Sequence, residues 1–396
     1  MAVVWGEVKG LAGPREPEPR PHLARLQPAQ HGGPDYALLA RLGLAPGQII
    51  DFSVNANPYG PSPRVRQTVT RAAIEQYPDS GCRALAERLA ARHGVAPEQV
   101  LVGNGSTELI RLLALAYLDA GDPCLILEPT FGEYRAAAGL AGARISALYA
   151  GPTSGFCPDL DACVRLAREV RPRLTYLCNP NNPTGTYLPR AAVEALAEAC
   201  TGGLLAIDQA YLPFVADPWP TEPLLAAGNV VLLHSMTKAE ALAGLRLGYL
   251  LGPERIVRLL RTVQGPWSVN ALAQAAGLAA LEDTAYLKET VAATVQHREA
   301  LARHIAVLGL PVLPTATHYF LVEVGDAAAW KQALLERRIL VRDCASFGLP
   351  GYLRIAARRP EENALLVEAL GQVATRLLPP RPPRPVATQA VKAEDR

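Results

Sequence analysis

This sequence of 396 residues lacks the features that mark several specialised classes of protein. It has no run of about 18 uninterrupted apolar residues, so no membrane-spanning helix is predicted. Its N-terminus lacks the basic-then-apolar layout of a signal peptide. Lys and Arg total 39 against 37 Asp and Glu, which leaves no excess of positive charge for binding nucleic acid. We therefore expect a cytoplasmic protein whose partners are neither membranes nor nucleic acids.

The cysteines also lack any pairing pattern. They number seven, which is odd, and include no C-x-x-C spacing. This predicts neither a disulfide framework nor a tetrahedral zinc site, and we expect no bound metal. What the sequence does have is a hydrophobic fraction of 49%, which is enough for a sizeable core. The length fits one large domain with a smaller one.

The two ends of the chain differ in composition from the rest. Residues 1–30 are rich in Pro, Arg and Glu without apolar periodicity, and we interpret them as a disordered, mobile extension. Residues 379–396 are rich in Pro and Arg, and we interpret them as a poorly ordered tail.

Between these ends, short apolar runs alternate with helical patterns. Strands separated by helices favour an α/β fold with a mostly parallel sheet that helices cover on both faces. Strands are predicted at 99–103, 123–128, 174–179, 204–209 and 229–235, and helices at 107–121 and 190–200.

After Pro266 the pattern changes to that of a smaller α+β domain. We expect the large domain to span 81–290 and the small one 291–378, and we expect the segment 31–80 to join the small domain. The predicted elements of this part are a helical stretch over 271–308, a strand at 319–324, a helix at 328–337, strands at 339–343 and 352–357, and a helix at 360–378.

Polar clusters follow several predicted strands, at the edge of the sheet where ligands collect in such folds. Gly105, Ser106 and Thr107 stand between a strand and a helix, where free backbone N–H groups bind phosphate. Taken alone, this cluster is equally consistent with an ordinary capped turn. Asn182 belongs to an Asn- and Pro-rich loop after another strand, which either offers amide donors to a ligand or forms a tight turn.

A carboxylate ends the predicted strand at 204–209. Asp208 stands at that end, and Tyr211 follows three residues later. A buried carboxylate is costly unless a cation pairs with it, and a protonated ring nitrogen would serve. The alternative interpretation of Asp208 is a helix N-cap.

Hydroxyl groups and a lysine end the predicted strand at 229–235. Ser235 and Thr237 precede Lys238, and Arg246 follows eight residues after the lysine. A lysine among apolar neighbours has a lowered pKa and can act as an imine-forming nucleophile. Arg246 can bring a guanidinium to a phosphate bound nearby, although any single Lys or Arg is more often a solvated surface charge.

Together the clusters fit one ligand, pyridoxal 5′-phosphate. Its aldehyde would meet Lys238, and its ring nitrogen would meet Asp208, which keeps that nitrogen protonated so that the ring can accept electrons. Its phenolic oxygen would meet Asn182 and Tyr211. The groups expected around its phosphate are Gly105, Ser106, Thr107, Ser235, Thr237 and Arg246.

The motifs GNGSTE, PTFGEY, NPNNPTG, DQAY, SMTK and GLRLGY occur in this order along the chain. They resemble those of the fold type I (aspartate aminotransferase-like) pyridoxal-phosphate enzymes, and within these the histidinol-phosphate aminotransferase branch, over residues 31–375. The resemblance implies that Lys238 binds the cofactor covalently, that Asp208 and Tyr211 act with it in catalysis, and that Phe131 stacks on the cofactor ring.

The same resemblance makes expectations about the substrate and about a second subunit. Arg354 matches an arginine that holds the substrate carboxylate, and Tyr77 matches a tyrosine that reaches the cofactor phosphate of the partner. A homodimer is therefore expected, with residues 31–80 contributing to its interface. Two positions depart from the branch, Gln209 and the stretch 239–242, and neither carries a group that contacts the cofactor.

The cofactor does not decide the reaction, because the bond that breaks is the one held perpendicular to its ring. The motif His31-Gly32-Gly33 and the segment that begins at Arg342 resemble the L-threonine-O-3-phosphate decarboxylases of cobalamin biosynthesis. Gly32 and Gly33 would let backbone N–H groups approach an anion, and His31, Arg342 and Arg354 would hold a phosphate ester and a carboxylate. The alternative for His31 is an ordinary loop histidine.

We therefore expect a carboxy-lyase, or decarboxylase, that converts L-threonine O-3-phosphate to (R)-1-aminopropan-2-ol O-phosphate. The alternative is an aminotransferase that acts on histidinol phosphate or an aromatic amino acid. A third reading, a non-catalytic protein that kept the fold, is disfavoured by the presence of Lys238, Asp208 and Arg246 together.

Overall fold

A computed structural model of the chain describes residues 18–26 and 28–378. The tail 379–396 and most of the predicted extension, residues 1–17 and 27, lie outside the described residues. The described part of that extension contains one short 3-10 helix, Leu23–Arg25. Disorder at the two ends therefore stays a prediction.

Strands and α-helices alternate along the described chain. The strands are β1 (Ile50–Asp51), β2 (Val100–Gly103), β3 (Pro123–Glu128), β4 (Arg144–Tyr149), β5 (Leu174–Cys178), β6 (Leu204–Asp208), β7 (Val230–Ser235), β8 (Gly248–Leu251), β9 (Tyr319–Glu323), β10 (Ile339–Leu340), β11 (Arg342–Cys344) and β12 (Leu349–Ala356). The helices are α1 (Tyr36–Arg41), α2 (Pro63–Val69), α3 (Arg83–His93), α4 (Gly105–Tyr117), α5 (Glu133–Leu140), α6 (Leu160–Val170), α7 (Arg190–Ala199), α8 (Glu254–Val263), α9 (Ala271–Glu282), α10 (Thr284–Val307), α11 (Ala327–Leu335) and α12 (Pro360–Leu377). None of the helices in the described residues is both long enough and apolar enough to cross a membrane.

A seven-stranded sheet lies at the centre of the larger part of the molecule, in the order β2-β8-β7-β6-β5-β3-β4. The strands from β7 to β4 run parallel to one another, whereas β8 is antiparallel to both of its neighbours. The carboxyl ends of β5, β6 and β7 therefore meet at one edge. That edge carries the polar clusters that the sequence analysis singled out.

Side chains alternate between the two faces of this sheet. In β6, Leu205 and Ile207 pack into one apolar cluster, and Leu204 and Ala206 pack into the other. Helices cover both clusters, which confirms the predicted α/β fold of the aspartate aminotransferase type. The buried strands read as continuous apolar runs because both of their faces are covered.

The smaller part of the molecule is built on the antiparallel sheet β11-β12-β9, with α10, α11 and α12 packed on it. Its core includes Trp330 and Phe320 together with Phe52 from the N-terminal segment. The Phe52 N–H donates to the carbonyl of Leu340 at 2.7 Å, which ties this segment to the smaller part. The domain boundaries at residues 81, 291 and 378 stay predictions.

Some predicted elements differ from those observed. The helical stretch 271–308 is two helices, since Asp283 between them has non-helical backbone angles (φ −102°, ψ 57°). The predicted strand 339–343 divides at Val341, because β10 pairs with β1 while β11 pairs with β12. The pairing of β11 with β12 places Arg342 directly opposite Arg354 in the small sheet.

Candidate active site

A cavity of about 530 Å³ opens between the carboxyl edge of the large sheet and the smaller part of the molecule. The last residues of β5, β6 and β7, namely Cys178, Asp208 and Ser235, form part of its floor. Arg342 and Arg354 reach it from the small sheet, and the N-terminal segment closes one side. Nearly all the residues predicted for cofactor or substrate thus line one cavity.

Asp208 lies buried on the cavity floor. Its carboxylate accepts hydrogen bonds from the Tyr134 hydroxyl at 2.9 Å and from the Ala210 N–H at 3.0 Å. Burial raises the pKa of Asp208, and these two hydrogen bonds partly oppose the rise. Among the described residues, no cation forms an ion pair with this carboxylate. A protonated ring nitrogen would provide the missing charge.

Lys238 lies in the turn after β7, with its Nζ 5.7 Å from the centre of the Tyr211 ring. Burial, followed by the charges of Arg354 and Arg246, lowers the pKa of Lys238 to about 8. The turn is held by Asn57, whose N–H donates to the Lys238 carbonyl at 2.9 Å. An amine with this pKa is substantially neutral near pH 8 and can attack an aldehyde.

A cradle for a phosphate group lies at the start of α4. Ser106 and Thr107 are in its first turn, and the hydroxyls of Ser235 and Thr237 lie 2.8 Å apart beside it. Gly105 has a φ of +74°, and a Cβ at this position would lie 2.9 Å from Nη2 of Arg246. Only glycine lets the backbone approach the guanidinium this closely.

The remaining predicted ring contacts lie in the same cavity. Asn182 accepts a hydrogen bond from Nη1 of Arg354, and the Tyr211 hydroxyl accepts one from Asn55 Nδ2 at 3.5 Å. Phe131 lines the cavity, with its ring centre 5.7 Å from that of His31. The two polar groups and one aromatic ring expected around the cofactor ring therefore line the same cavity.

The two arginines of the smaller part are buried, with 6% and 5% of their surface exposed. Arg342 donates to the carbonyls of Gln30 and His31, both at 2.9 Å, and to the Ser346 hydroxyl at 2.6 Å. Arg354 donates to the Ser53 carbonyl at 2.6 Å and to the Asn182 side chain. Burial, and next the charge of Arg354, lowers the pKa of Arg342.

The N-terminal motif meets the cavity in part. His31 and Gly32 line it, and a Cβ on Gly32 would lie 3.5 Å from Nη2 of Arg354 and would clash with the Ser53 carbonyl. Gly33, with φ at +107°, does not line the cavity, and its N–H donates to the Ser53 hydroxyl at 2.8 Å. This hydrogen bond from the Gly33 N–H group therefore helps to hold the N-terminal segment in place.

Tyr77 is the predicted cofactor residue that lies away from this cavity. Its side chain is 80% exposed and stacks on Trp267, with ring centres 4.5 Å apart. That Tyr77 reaches the cofactor phosphate of a second subunit stays a prediction.

Sequence reasoning missed several groups that line the cavity, including Glu133, Tyr134, Arg111 and Asn55. Glu133 and Tyr134 belong to the PTFGEY motif, which was noted only for Phe131. Arg111 lies four residues after Thr107, on the same face of α4, so helical spacing could have identified it. Asn55 lies within the N-terminal segment, and its contact with Tyr211 joins residues 156 positions apart, which a local pattern does not predict. Within the described residues, no group of His, Cys, Asp or Glu is placed to hold a metal ion.

Comparison with known proteins gives consistent matches over most of the chain. The family model of aminotransferase class I and II matches residues 47–370. The histidinol-phosphate aminotransferase of Symbiobacterium thermophilum is 39% identical over 357 residues, which cover 89% of this chain and 97% of that one. The crystal structure of the histidinol-phosphate aminotransferase of Sinorhizobium meliloti, in complex with pyridoxal 5′-phosphate, matches with 28% identity and a TM-score of 0.80, covering 90% of this chain and 97% of that one.

The structure of an L-threonine-O-3-phosphate decarboxylase from Porphyromonas gingivalis also matches, with 27% identity and a TM-score of 0.73, covering 82% of this chain and 99% of that one. Eight curated relatives that match at 32–39% identity, however, carry the name histidinol-phosphate aminotransferase. The predicted carboxy-lyase of cobalamin biosynthesis is therefore wrong. The motifs at His31 and Arg342 both contribute to the cavity lining, and they do not distinguish the two reactions.

The cavity fits pyridoxal 5′-phosphate group by group. The amine of Lys238 suits the aldehyde, the carboxylate of Asp208 suits the ring nitrogen, and the cradle at Gly105 and Arg246 suits the phosphate. Bound there, the cofactor supplies a ring that accepts electrons from the substrate. The predicted cofactor is confirmed, and the chain belongs to the aminotransferase class I and II family of pyridoxal-phosphate enzymes.

Proposed function

We propose that this enzyme is a histidinol-phosphate aminotransferase, which transfers an amino group between histidinol phosphate and a 2-oxo acid. The names of its curated relatives support this proposal. The structural observation that carries it is the pair of arginines in the cavity, Arg342 and Arg354.

This arginine pair has no anionic partner within the described chain. Arg342 and Arg354 are directly opposite each other in the register of β11 and β12, where side chains start about 5 Å apart and like charges repel. Within the described residues neither forms an ion pair, and their acceptors are carbonyl, hydroxyl and amide oxygens. Two buried positive charges with neutral acceptors favour a doubly negative ligand.

A phosphate monoester provides two negative charges and several acceptor oxygens. In histidinol phosphate this group is one carbon away from the carbon that bears the amine. An ordinary amino acid has a single carboxylate charge at the corresponding place. The charge of the arginine pair therefore supports a phosphorylated amine as the substrate.

The groups of the chain then divide the remaining work of amino transfer. Lys238 Nζ, with its pKa lowered to about 8, can take the proton from the amine-bearing carbon and return it elsewhere. Asp208 would accept a hydrogen bond from the protonated ring nitrogen of the cofactor, and Tyr211 would donate one to its phenolic oxygen. By fixing the substrate phosphate, Arg342 and Arg354 orient the bond that breaks.

We also propose that the enzyme is a homodimer. Tyr77 is highly exposed in the single chain and stacks on a second exposed aromatic residue, Trp267. Tyr77→Phe should weaken cofactor affinity modestly and only in the dimer. Light scattering measures the mass, and fluorescence titration measures the affinity; a fully active monomer would contradict the shared site.

The substrate is tested with the holoenzyme and 2-oxoglutarate as amino acceptor. We expect kcat/KM for histidinol phosphate to exceed that for histidinol by about 100-fold, because truncating a buried charge interaction costs about 3 kcal/mol. Arg342→Met should shrink this preference about tenfold, and Arg88→Met, an exposed position on α3 outside the cavity, should leave it unchanged. Equal kcat/KM values for the two substrates, or release of CO₂ from threonine phosphate without amino transfer, would contradict the proposal.

A further inference from the structure

Besides the arginine pair, the cavity has a second cluster of basic side chains, which is organised around a buried carboxylate. Glu133, at the start of α5, is buried, with 4% of its side chain exposed. One of its carboxylate oxygens lies 2.9 Å from Nε2 of His31, and the other accepts from Nη2 of Arg111 at 3.1 Å. Glu133 thus holds an imidazole and a guanidinium side by side, which we call the rim cluster.

The rim cluster faces the same cavity as the cofactor site. All three of its residues line the cavity, and the side chains of His31 and Arg111 are about half exposed, at 50% and 54%. In the described chain, Glu133 is the one recorded hydrogen-bond partner of the Arg111 guanidinium, so its other nitrogens are available to a ligand.

The rim cluster lies close to the arginine pair. The carbonyl of His31 accepts from Arg342, and the next residue, Gly32, lies against the guanidinium of Arg354. One short molecule can therefore place an anionic group at each site. The rim cluster and the arginine pair therefore line a single cavity.

The charge of the two sites differs. In the rim cluster the carboxylate of Glu133 cancels one positive charge, so the net positive charge of the cluster is at most one. A carboxylate, with one negative charge, matches this site better than a doubly charged phosphate. The unneutralised arginine pair matches the phosphate better.

An aminotransferase uses one cavity for two substrates in turn, a phosphorylated amine and an amino donor. We infer that Arg111 and His31, aligned by Glu133, bind the distal carboxylate of a dicarboxylic amino donor. The donor's other carboxylate takes the place of the substrate phosphate at Arg354. This inference rests on the proposed amino transfer, because a lyase would have no second substrate to bind.

Binding is measured by calorimetry on the holoenzyme, with unreactive probes that carry no amine. Glutarate has a carboxylate at each end, and pentanoate has the same length and only one carboxylate. We expect Arg111→Met to weaken the affinity for glutarate about tenfold, since one charge-assisted hydrogen bond is lost. The affinity for pentanoate should change less than twofold. Arg111→Lys should restore part of the loss, and Arg88→Met serves as the control.

Two further measurements separate the alternatives. If 4-phosphonobutyrate binds more tightly than glutarate and loses more affinity in Arg111→Met, the rim cluster is a phosphate site and the inference is overturned. If Arg111→Met weakens the cofactor and leaves the ratio of glutarate to pentanoate unchanged, Arg111 serves the cofactor phosphate and the inference is again overturned.

The inference and the proposed function can fail separately. If histidinol phosphate converts the bound cofactor to its amine form, but Arg111→Met leaves glutarate binding unchanged, only the inference about the rim cluster is overturned. Glutarate binding that depends on Arg111, without any reaction of histidinol phosphate, would overturn only the proposal that histidinol phosphate is the substrate.

Discussion

Removing the amine at position 238 should stabilise the cofactor-free protein. In that form the positive charge of Lys238 lies at the cavity floor, near the charges of Arg354 and Arg246. The opposing carboxylate, Asp208, only partly offsets them. Lys238→Met keeps the apolar part of the side chain and deletes the charge.

The magnitude follows from the shifted pKa. The pKa of Lys238 falls from 10.5 to about 8, and a shift of that size corresponds to about 3 kcal/mol. Between these values the unfolded chain binds more protons than the folded one, so stability rises with pH; the penalty is complete below about pH 8 and vanishes toward pH 10.5. Because this side chain is partly exposed to the open cavity, we expect a gain of about 1–2 kcal/mol.

Urea unfolding of the cofactor-free proteins measures this gain at about pH 7 and about pH 10. Lys288→Met, at an exposed position of α10, is the matched control and should change stability by less than about 0.5 kcal/mol. The reasoning is refuted if Lys238→Met is no more stable than the parent near pH 7, or if its advantage persists unchanged near pH 10.

Two other substitutions test the floor and the cradle. Tyr134→Phe removes a hydrogen-bond donor from Asp208 and further raises the pKa of that carboxyl, so cofactor affinity should fall about tenfold in a fluorescence titration; unchanged affinity would contradict the role of this donor. Gly105→Ala puts a Cβ against Arg246 in left-handed backbone, so cofactor affinity should also fall, whereas Gly151→Ala, which has open space around its Cβ, should bind the cofactor normally.

The grouping of the candidate cofactor residues in one cavity could be predicted from the sequence, because these residues follow directly after strands. Asp208 ends β6, Ser235 ends β7, and Lys238 lies in the turn that follows β7. Parallel strands place their carboxyl ends at one edge, so local patterns were sufficient to bring these residues together. The fold class was predictable for the same reason, from the alternation of apolar runs and helical patterns.

The candidate substrate residues His31, Arg342 and Arg354 could be named from the sequence, but their mutual contacts could not, because these join distant segments. His31 and Glu133 are 102 residues apart, and Arg342 meets the carbonyl of His31 across 311 residues. The pairing of Arg342 with Arg354 depends on a strand that divides at one residue and on an irregular register after Asp343. The expectation of a decarboxylase was wrong because the motifs at His31 and Arg342 do not distinguish the two reactions, and the curated relatives point to an aminotransferase.

A single-turnover experiment probes the amino-transfer step itself. The holoenzyme is mixed with histidinol phosphate in the absence of any 2-oxo acid, and the cofactor is then released and identified. Amino transfer predicts one pyridoxamine 5′-phosphate per active site and the loss of the adduct that borohydride otherwise traps on Lys238. Recovery of the cofactor as pyridoxal 5′-phosphate alone, with the trapped adduct undiminished, would contradict it.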